Sequence, residues 1–505
     1  MSRLRIILCI LPLIAFPDLP AMGDSWTDVF LVESVEAPEG VDCQIGGIDA
    51  LPDGRLAVCF HRGEVMLYDP ETHIWDPFAH GLQEPLGVIV ESASSMLVMQ
   101  RPELTRLRDT DGDGLADEYE TVFDDFGLSG NYHEFAFGPA RDKAGNLYFS
   151  LNVASHNGGV REEIRGEWSP IGMDRELMTE PSEEEWNELK HQAGRMFSRV
   201  AYRGWVIRVS SDGKEFTPFA SGFRSPDGIG FDAEERLLVT DNQGDWLGTS
   251  KVFDVREGGF YGHPASLVWR KGWTRNPLEV PVEELETMRT RAMGLLPQGE
   301  LANSPTQPIA IPEGVFGSLA GQTLIGEMNQ PTLIRFLPDF VDGVAQGAAI
   351  PFLQSETLGL GNHRMAFTTD GSLWIGKTHL SWPGAEGLKR VRWTGKPFLA
   401  IESVRLLANG FALRFTRSVD PQSLDGVSAT RHTYDYHAEY GSPKVDETPL
   451  EIEVSRLSAD GLTLTLEIGD LRERFLHTLD LTGLRSESGD PLLGDLVYYQ
   501  LNKRR

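Results

Sequence analysis

Twelve residues, Asp109-Thr110-Asp111-Gly112-Asp113-Gly114-Leu115-Ala116-Asp117-Glu118-Tyr119-Glu120, have the spacing of a loop that wraps a hard cation. Acids fall at positions 1, 3, 5, 9 and 12, and Gly114 falls at the sharp turn in position 6. Ca²⁺ takes roughly six to eight oxygens. This spacing offers the carboxylates of Asp109, Asp111, Asp113, Asp117 and Glu120 together with the Leu115 carbonyl. A solvated acidic turn is the alternative. No apolar helix pair flanks the loop as a calcium sensor requires, so the spacing predicts a structural ion.

Four further polar stretches carry chemistry. Asn131-Tyr132-His133-Glu134-Phe135-Ala136-Phe137-Gly138-Pro139 sets a histidine just ahead of an apolar strand. Ala220-Ser221-Gly222-Phe223-Arg224-Ser225-Pro226-Asp227-Gly228 places an arginine in a turn. Thr240-Asp241-Asn242-Gln243-Gly244-Asp245-Trp246 and Gly258-Gly259-Phe260-Tyr261-Gly262-His263-Pro264 follow. Histidine is the side chain that exchanges protons near neutral pH. A hydrogen-bonded structural histidine is the alternative for His133, and an ion pair with Asp227 or Asp241 the alternative for Arg224. Histidines and cysteines show no zinc spacing, no haem attachment motif and no nucleophile elbow.

The elements that must hold these residues are hairpins. An apolar strand, a Gly- or Asp-containing turn and a second apolar strand recur at Ile48–Val58, Phe135–Phe149, Ile229–Val239 and Met365–Ile375. Weaker copies lie at Leu86–Val98 and Phe316–Ile325. Each copy buries a face only against its neighbours, which predicts an all-β, six-bladed β-propeller over 24–395. The gaps near 155–205 and 265–310 become insertions. They carry helix signals opening at Pro181 and Pro281, read as packing on the propeller rim or as a lid. In this arrangement the acidic loop joins two blades, and His133 opens at the mouth of the central channel. From Gly395-Lys396-Pro397 onward the pattern changes. Gly410–Phe415 and Leu462–Ile468 alternate with period two, predicting a separate β-sandwich of immunoglobulin or fibronectin type over 396–505. Tyr434, Tyr436 and Tyr440 read as ordinary sheet packing or as a sugar-stacking strip.

Composition limits the partners. With 75 acidic against 46 basic residues the net charge is −29, which disfavours nucleic acid and anionic membranes. Arg3 and Arg5 precede the apolar run Ile6–Phe16, and small residues precede a cut after Gly23, so 1–23 reads as a signal peptide. The mature chain is then exported, periplasmic or extracellular, with no membrane span. Cys43 and Cys59 form either one disulfide there or two buried thiols.

The order of a histidine-led strand, an arginine turn, the Gln243-Gly244 turn and Gly258–Pro264 resembles the soluble quinoprotein glucose and sorbosone dehydrogenase superfamily. The resemblance covers about 24–395. It implies that His133 takes the proton as hydride passes from a sugar to pyrroloquinoline quinone, with Arg224 beside the quinone carbonyls. It further implies cofactor contacts from Gln243 and Arg364, carbonyls of Gly244 and Asp245 on a catalytic calcium, and a separate electron acceptor. The chain departs from the family pattern. Ser225 and Asp227 stand for asparagine and glutamine, Asn362 for a second arginine, and Glu327-Met328-Asn329 where a lysine is expected. Two other readings remain open. One is a non-catalytic carbohydrate- or protein-binding propeller stabilised by calcium; the other is a calcium-dependent lactonase.

Overall fold

The computed structural model describes residues 26–505 apart from 170, 173, 174, 180 and 381. The leader reading lies outside the described residues. Among those described, no helix is long and apolar enough to cross a membrane.

Six four-stranded antiparallel units form the propeller. Blade 1 comprises Ile45–Ala50, Leu56–Phe60, Val65–Asp69 and Ile74–Ala79. Blade 2 comprises Val88–Ser92, Ser95–Met99, Leu104–Arg108 and Glu118–Phe123. Blade 3 holds Ala136–Arg141, Leu147–Leu151, Trp205–Val209 and Phe216–Ser221. Blade 4 holds Gly228–Phe231, Leu237–Asp241, Ser250–Asp254 and Gly294–Leu296. Blade 5 is Pro305–Ala310, Thr323–Glu327, Leu333–Val341 and Val344–Phe352. Blade 6 is Asn362–Phe367, Leu373–Lys377 and Gly387–Trp393, completed by Phe30–Val35 from the other end of the propeller. Phe30 pairs with Trp393 and Val35 with Leu388, which closes the ring without a covalent link.

Each blade interface has its own apolar cluster. Leu67 and Phe78 meet Met96 and Leu107 between blades 1 and 2; Tyr68 and Trp374 belong to the cluster between blades 1 and 6. Near the axis the backbones approach too closely for side chains. A Cβ on Gly87 would lie 1.6 Å from the Gly138 carbonyl oxygen, so the glycine in Leu86-Gly87-Val88 is a steric requirement. Blade 5 differs from its sequence reading: the inner strand is Pro305–Ala310, and Phe316 sits in the connection after it. Pro305 and Pro308 obscure a strand that tolerates them because it is an inner edge.

The outer hairpin of blade 5 has nine-residue strands and continues into the C-terminal region. Ala348 pairs with Tyr499 and Ala349 with Tyr498, so one eight-stranded sheet runs from Pro305–Ala310 through Leu496–Leu501 to Val445–Leu450. A second sheet is built on Leu399–Leu407, Gly410–Phe415 and Thr463–Ile468. It packs on the first through a core that joins Ile350 of blade 5 to Phe411, Leu464 and Tyr499. The sandwich is therefore not separate from the propeller. Its first sheet is hydrogen-bonded to blade 5, which removes an exposed apolar edge.

The first insertion leaves blade 3 after Leu151 and contains the helix Glu183–Ala193, whose Ser182 and Glu185 form a capping box. The second follows Asp254 and includes the helix Val282–Met288. Cys43 and Cys59 are buried free thiols.

Candidate functional site

Inner strands begin, and second strands end, at the same end of the channel. This geometry gathers the turns around His133, Arg224, Asp241–Asp245, Glu327 and Asn362 at one mouth.

The Val153 peptide joins two of the predicted residues. Its carbonyl lies 2.7 Å from His133 Nδ1, and its N–H donates to the Arg224 carbonyl at 3.2 Å. A carbonyl only accepts, so Nδ1 carries the ring proton and Nε2 keeps its lone pair. Burial and the neighbouring Arg224 charge push the His133 pKa down to about 3. His133 is thus a neutral acceptor throughout the neutral range.

Arg224 is only 9% exposed and donates from Nε to Asp245 at 3.0 Å. The second oxygen of Asp245 meets His263 Nε2 at 3.1 Å. Burial opposes ionisation of Asp245, but His263 and Arg224 outweigh it and hold the carboxyl well below its usual range. Asp241 accepts the backbone N–H groups of Arg224 and Ser225, both at 2.8 Å, and so fixes the turn.

Arg364 is the third residue of its inner strand, and its donors are taken up by the protein. Nε donates to Leu86 O, Nη1 to Asp227 Oδ1 and His363 O, and Nη2 to Leu86 O and to both Asp227 O and Oδ1. The same Asp227 carboxylate meets His363 Nε2 at 3.0 Å, while His363 Nδ1 faces Ile45 O at 3.0 Å. Burial resists the charge on Asp227, but His363 and Arg364 outweigh it and hold its pKa below the usual range. Glu327 is fully buried at the end of its strand and accepts N–H groups of Asn303, Ser304 and Asn329. Burial, reinforced by Asp227, pushes its pKa up to about 7.

Gln243 and Gly244 are engaged within the protein rather than by the channel. The Gln243 side chain donates to Gly248 O at 3.2 Å within its own turn. The Gly244 carbonyl accepts the N–H of Gly441 at 2.9 Å, from the loop over 434–444 of the sandwich. That loop also accepts the Trp246 N–H at His437 O and donates from Ser442 to Gly248 O, each at 3.0 Å. Tyr440, 46% exposed, lies 5.5 Å from the Arg224 guanidinium and 4.4 Å from that of Arg195. Tyr436 donates to Gly262 O and packs on Trp246. A sandwich loop therefore roofs the propeller site, and the three spaced tyrosines are its one signal in the sequence.

The acidic loop is the hairpin tip between the third and fourth strands of blade 2, rather than a connection between blades. Ligand oxygens of Asp109, Asp111 and Asp113 lie within 4.8 Å of one another. Asp117 instead accepts from Thr110 N and Oγ1 at 3.0 and 2.9 Å. Glu120 pairs across the strands with Arg106 and forms ion pairs with Arg106 and Arg108 at 3.2 and 2.7 Å. Position 12 is a strand residue here, and its cross-strand arginines claim it. Leu115 stands in the turn, its N–H on Asp113.

Residues 29–217 match a family described as Domain of unknown function (DUF7133). No curated protein matches the chain. Solved structures similar to it include a glucose dehydrogenase of Thermus thermophilus, 16% identical over 72% of this chain and 99% of that one, TM-score 0.45. The PQQ-bound form of an aldose sugar dehydrogenase from Streptomyces coelicolor is 14% identical over 72% and 98%, TM-score 0.47. The apo soluble aldose sugar dehydrogenase of Escherichia coli is 14% identical over 72% and 99%, TM-score 0.46. The six-bladed architecture itself rests on the strand pairing above.

Proposed function

We propose that the channel mouth binds a neutral, hydroxyl-rich small molecule of the sugar class, in an exported protein, and that its present residues do not fit pyrroloquinoline quinone. The observation that carries this reading is the donor set. The quinone brings three carboxylates, which need cations with free N–H groups. Arg364 has none left, Arg224 gives its Nε to Asp245 and keeps only its Nη groups for three carboxylates, and Glu327 puts a carboxyl where the resemblance calls for a lysine. Burying an uncompensated anion beside these carboxylates costs several kcal/mol.

The mouth also leaves buried acceptors unpaired. Asn152 Oδ1 and Asn242 Oδ1 are buried without a donor, and His133 Nε2 keeps its lone pair. Ligand hydroxyls supply the missing donors. His133 then holds a hydroxyl proton, and the Tyr440 roof shields the bound face from water. Saturation-transfer NMR with a panel of neutral aldoses tests this. At least one aldose should bind, and His133→Ala should weaken it by about tenfold, the scale of one lost hydrogen bond to a buried acceptor. Absence of binding by every aldose would sink the reading.

A second reading concerns the loop at Asp109. Its three converging aspartates support a structural Ca²⁺ there, completed by water rather than by Asp117 or Glu120. Ala116 of the loop donates to Phe78 O of blade 1 at 2.7 Å, so the ion would steady the blade 1–2 contact. Chelator should lower the melting midpoint, and Asp111→Asn should make the midpoint indifferent to chelator. An unchanged midpoint in protein shown to be metal-free removes the structural role.

A further inference from the structure

A cleft of about 840 Å³ lies between blade 4, the second insertion and the sandwich, away from the channel. It narrows into a recess beneath the sandwich loop, and Arg289, Arg291, Arg474 and Asn502 line both parts. In a chain of net charge −29, the recess gathers four cations: Lys251, Arg289, Arg291 and Arg474. Its one acidic lining residue is the exposed Asp435.

The cations come from three parts of the fold. Lys251 stands on the third strand of blade 4, Arg289 and Arg291 on the insertion, and Arg474 next to the sandwich strand Phe475–Asp480. Arg289 stacks on Tyr436 at 4.2 Å and shares the single carboxylate of Glu286 with Arg291. Among the described residues no carboxylate lies within ion-pair reach of Arg474. Lys251 is 5% exposed, and among the described residues its ammonium has no hydrogen-bond or ion-pair partner. Its cross-strand neighbour Asp241 accepts the Arg224 and Ser225 N–H groups instead. Burial and the nearby Arg289 push the Lys251 pKa down to about 7, against the pull of Asp241. An unpaired ammonium aimed into a recess that already holds three guanidinium groups lowers stability unless something anionic occupies the space.

We propose that this recess is a binding site for a tetrahedral oxyanion, sulfate or phosphate, either free or carried as an ester on a saccharide. Lys251 supplies a point charge from the propeller, Arg474 forked donors from the sandwich and Arg291 forked donors from the insertion. The bound anion ties the sandwich to blade 4.

The test is calorimetric titration of the full chain with sodium sulfate, sodium phosphate and glucose 6-sulfate at constant ionic strength in chloride, with thermal melts alongside. Saturable binding of at least one, with a raised midpoint, is expected. Arg474→Ala should weaken binding by about tenfold, as expected for a lost charge-assisted contact. Lys251→Met should raise the midpoint in chloride, because it removes an unpaired buried charge, and should lose the anion response. Tighter binding of glucose 6-sulfate than of sulfate identifies the saccharide ester as the occupant, and equal binding identifies the free ion. No saturable binding by the wild type, binding unchanged in both variants, or a lower chloride midpoint for Lys251→Met would overturn the proposal.

Discussion

Replacing Asp227 by alanine is expected to destabilise the protein by about 3–5 kcal/mol, the cost of leaving a buried charge without its partner. Asp227 is 4% exposed and is the shared anion for Arg364 and His363. Its removal strands a guanidinium and an imidazole whose other contacts are backbone carbonyls. The same cluster ties blade 4 to blade 6 across the axis, so the loss opens the ring rather than one blade. Combining Asp227→Ala with Arg364→Met should recover a large share of the loss, because deleting both charges of a buried pair is far cheaper than deleting one. Denaturant midpoints measure both. A loss below about 1 kcal/mol for the single variant would mean that solvent reaches Arg364.

Acid should destabilise the protein through its buried histidines. His432 and His477 are fully buried on adjacent sandwich strands, and burial pushes each pKa down to about 4. His477 Nε2 accepts the Arg472 N–H at 3.4 Å, so the ring is held neutral. His133 at the channel mouth, held near 3, adds a third group of the same sign. The unfolded chain binds protons at these histidines below about pH 6.5 and the folded chain does not. Their stability is therefore complete above pH 6.5 and falls as the pH drops toward 4, by about 1.4 kcal/mol per unit for each histidine. Glu327 works in the opposite direction: its raised pKa makes the fold more stable as the pH falls from 7 toward the ordinary carboxylate range. Three histidines outweigh one such carboxyl. Equilibrium unfolding at pH 7 and pH 5 should show a drop of about 3 kcal/mol, and His477→Asn should remove about half of it. A drop unchanged in the variant would place the acid-sensitive groups elsewhere.

The hairpins legible in the sequence were those whose apolar runs are uninterrupted. Ile48–Val58 and Met365–Ile375 mark the inner hairpins of blades 1 and 6, because nearly continuous buried strands and a glycine turn coincide there. Blade 5 hid behind Pro305 and Pro308, and its union with the sandwich was equally hidden, since Val344–Phe352 looks like any other strand until its partner Leu496–Leu501 is known. At the site, resemblance singled out His133 and Arg224, and both contact the backbone of Val153. It gave no sign that Gln243, Gly244 and Glu120 find their partners in Gly248, Gly441 and a pair of arginines. The Gly441 contact comes from a distant segment and leaves no local spacing to read.

The account rests on a channel mouth where Arg364 is fully engaged by the protein and Glu327 stands where the resemblance calls for a lysine. The most direct measurement titrates the purified protein with pyrroloquinoline quinone in the presence of Ca²⁺, and separately with neutral aldoses, then adds an artificial electron acceptor. Saturable aldose binding, no quinone binding and no dye reduction are the predicted result. Tight quinone binding followed by aldose-dependent dye reduction would contradict it.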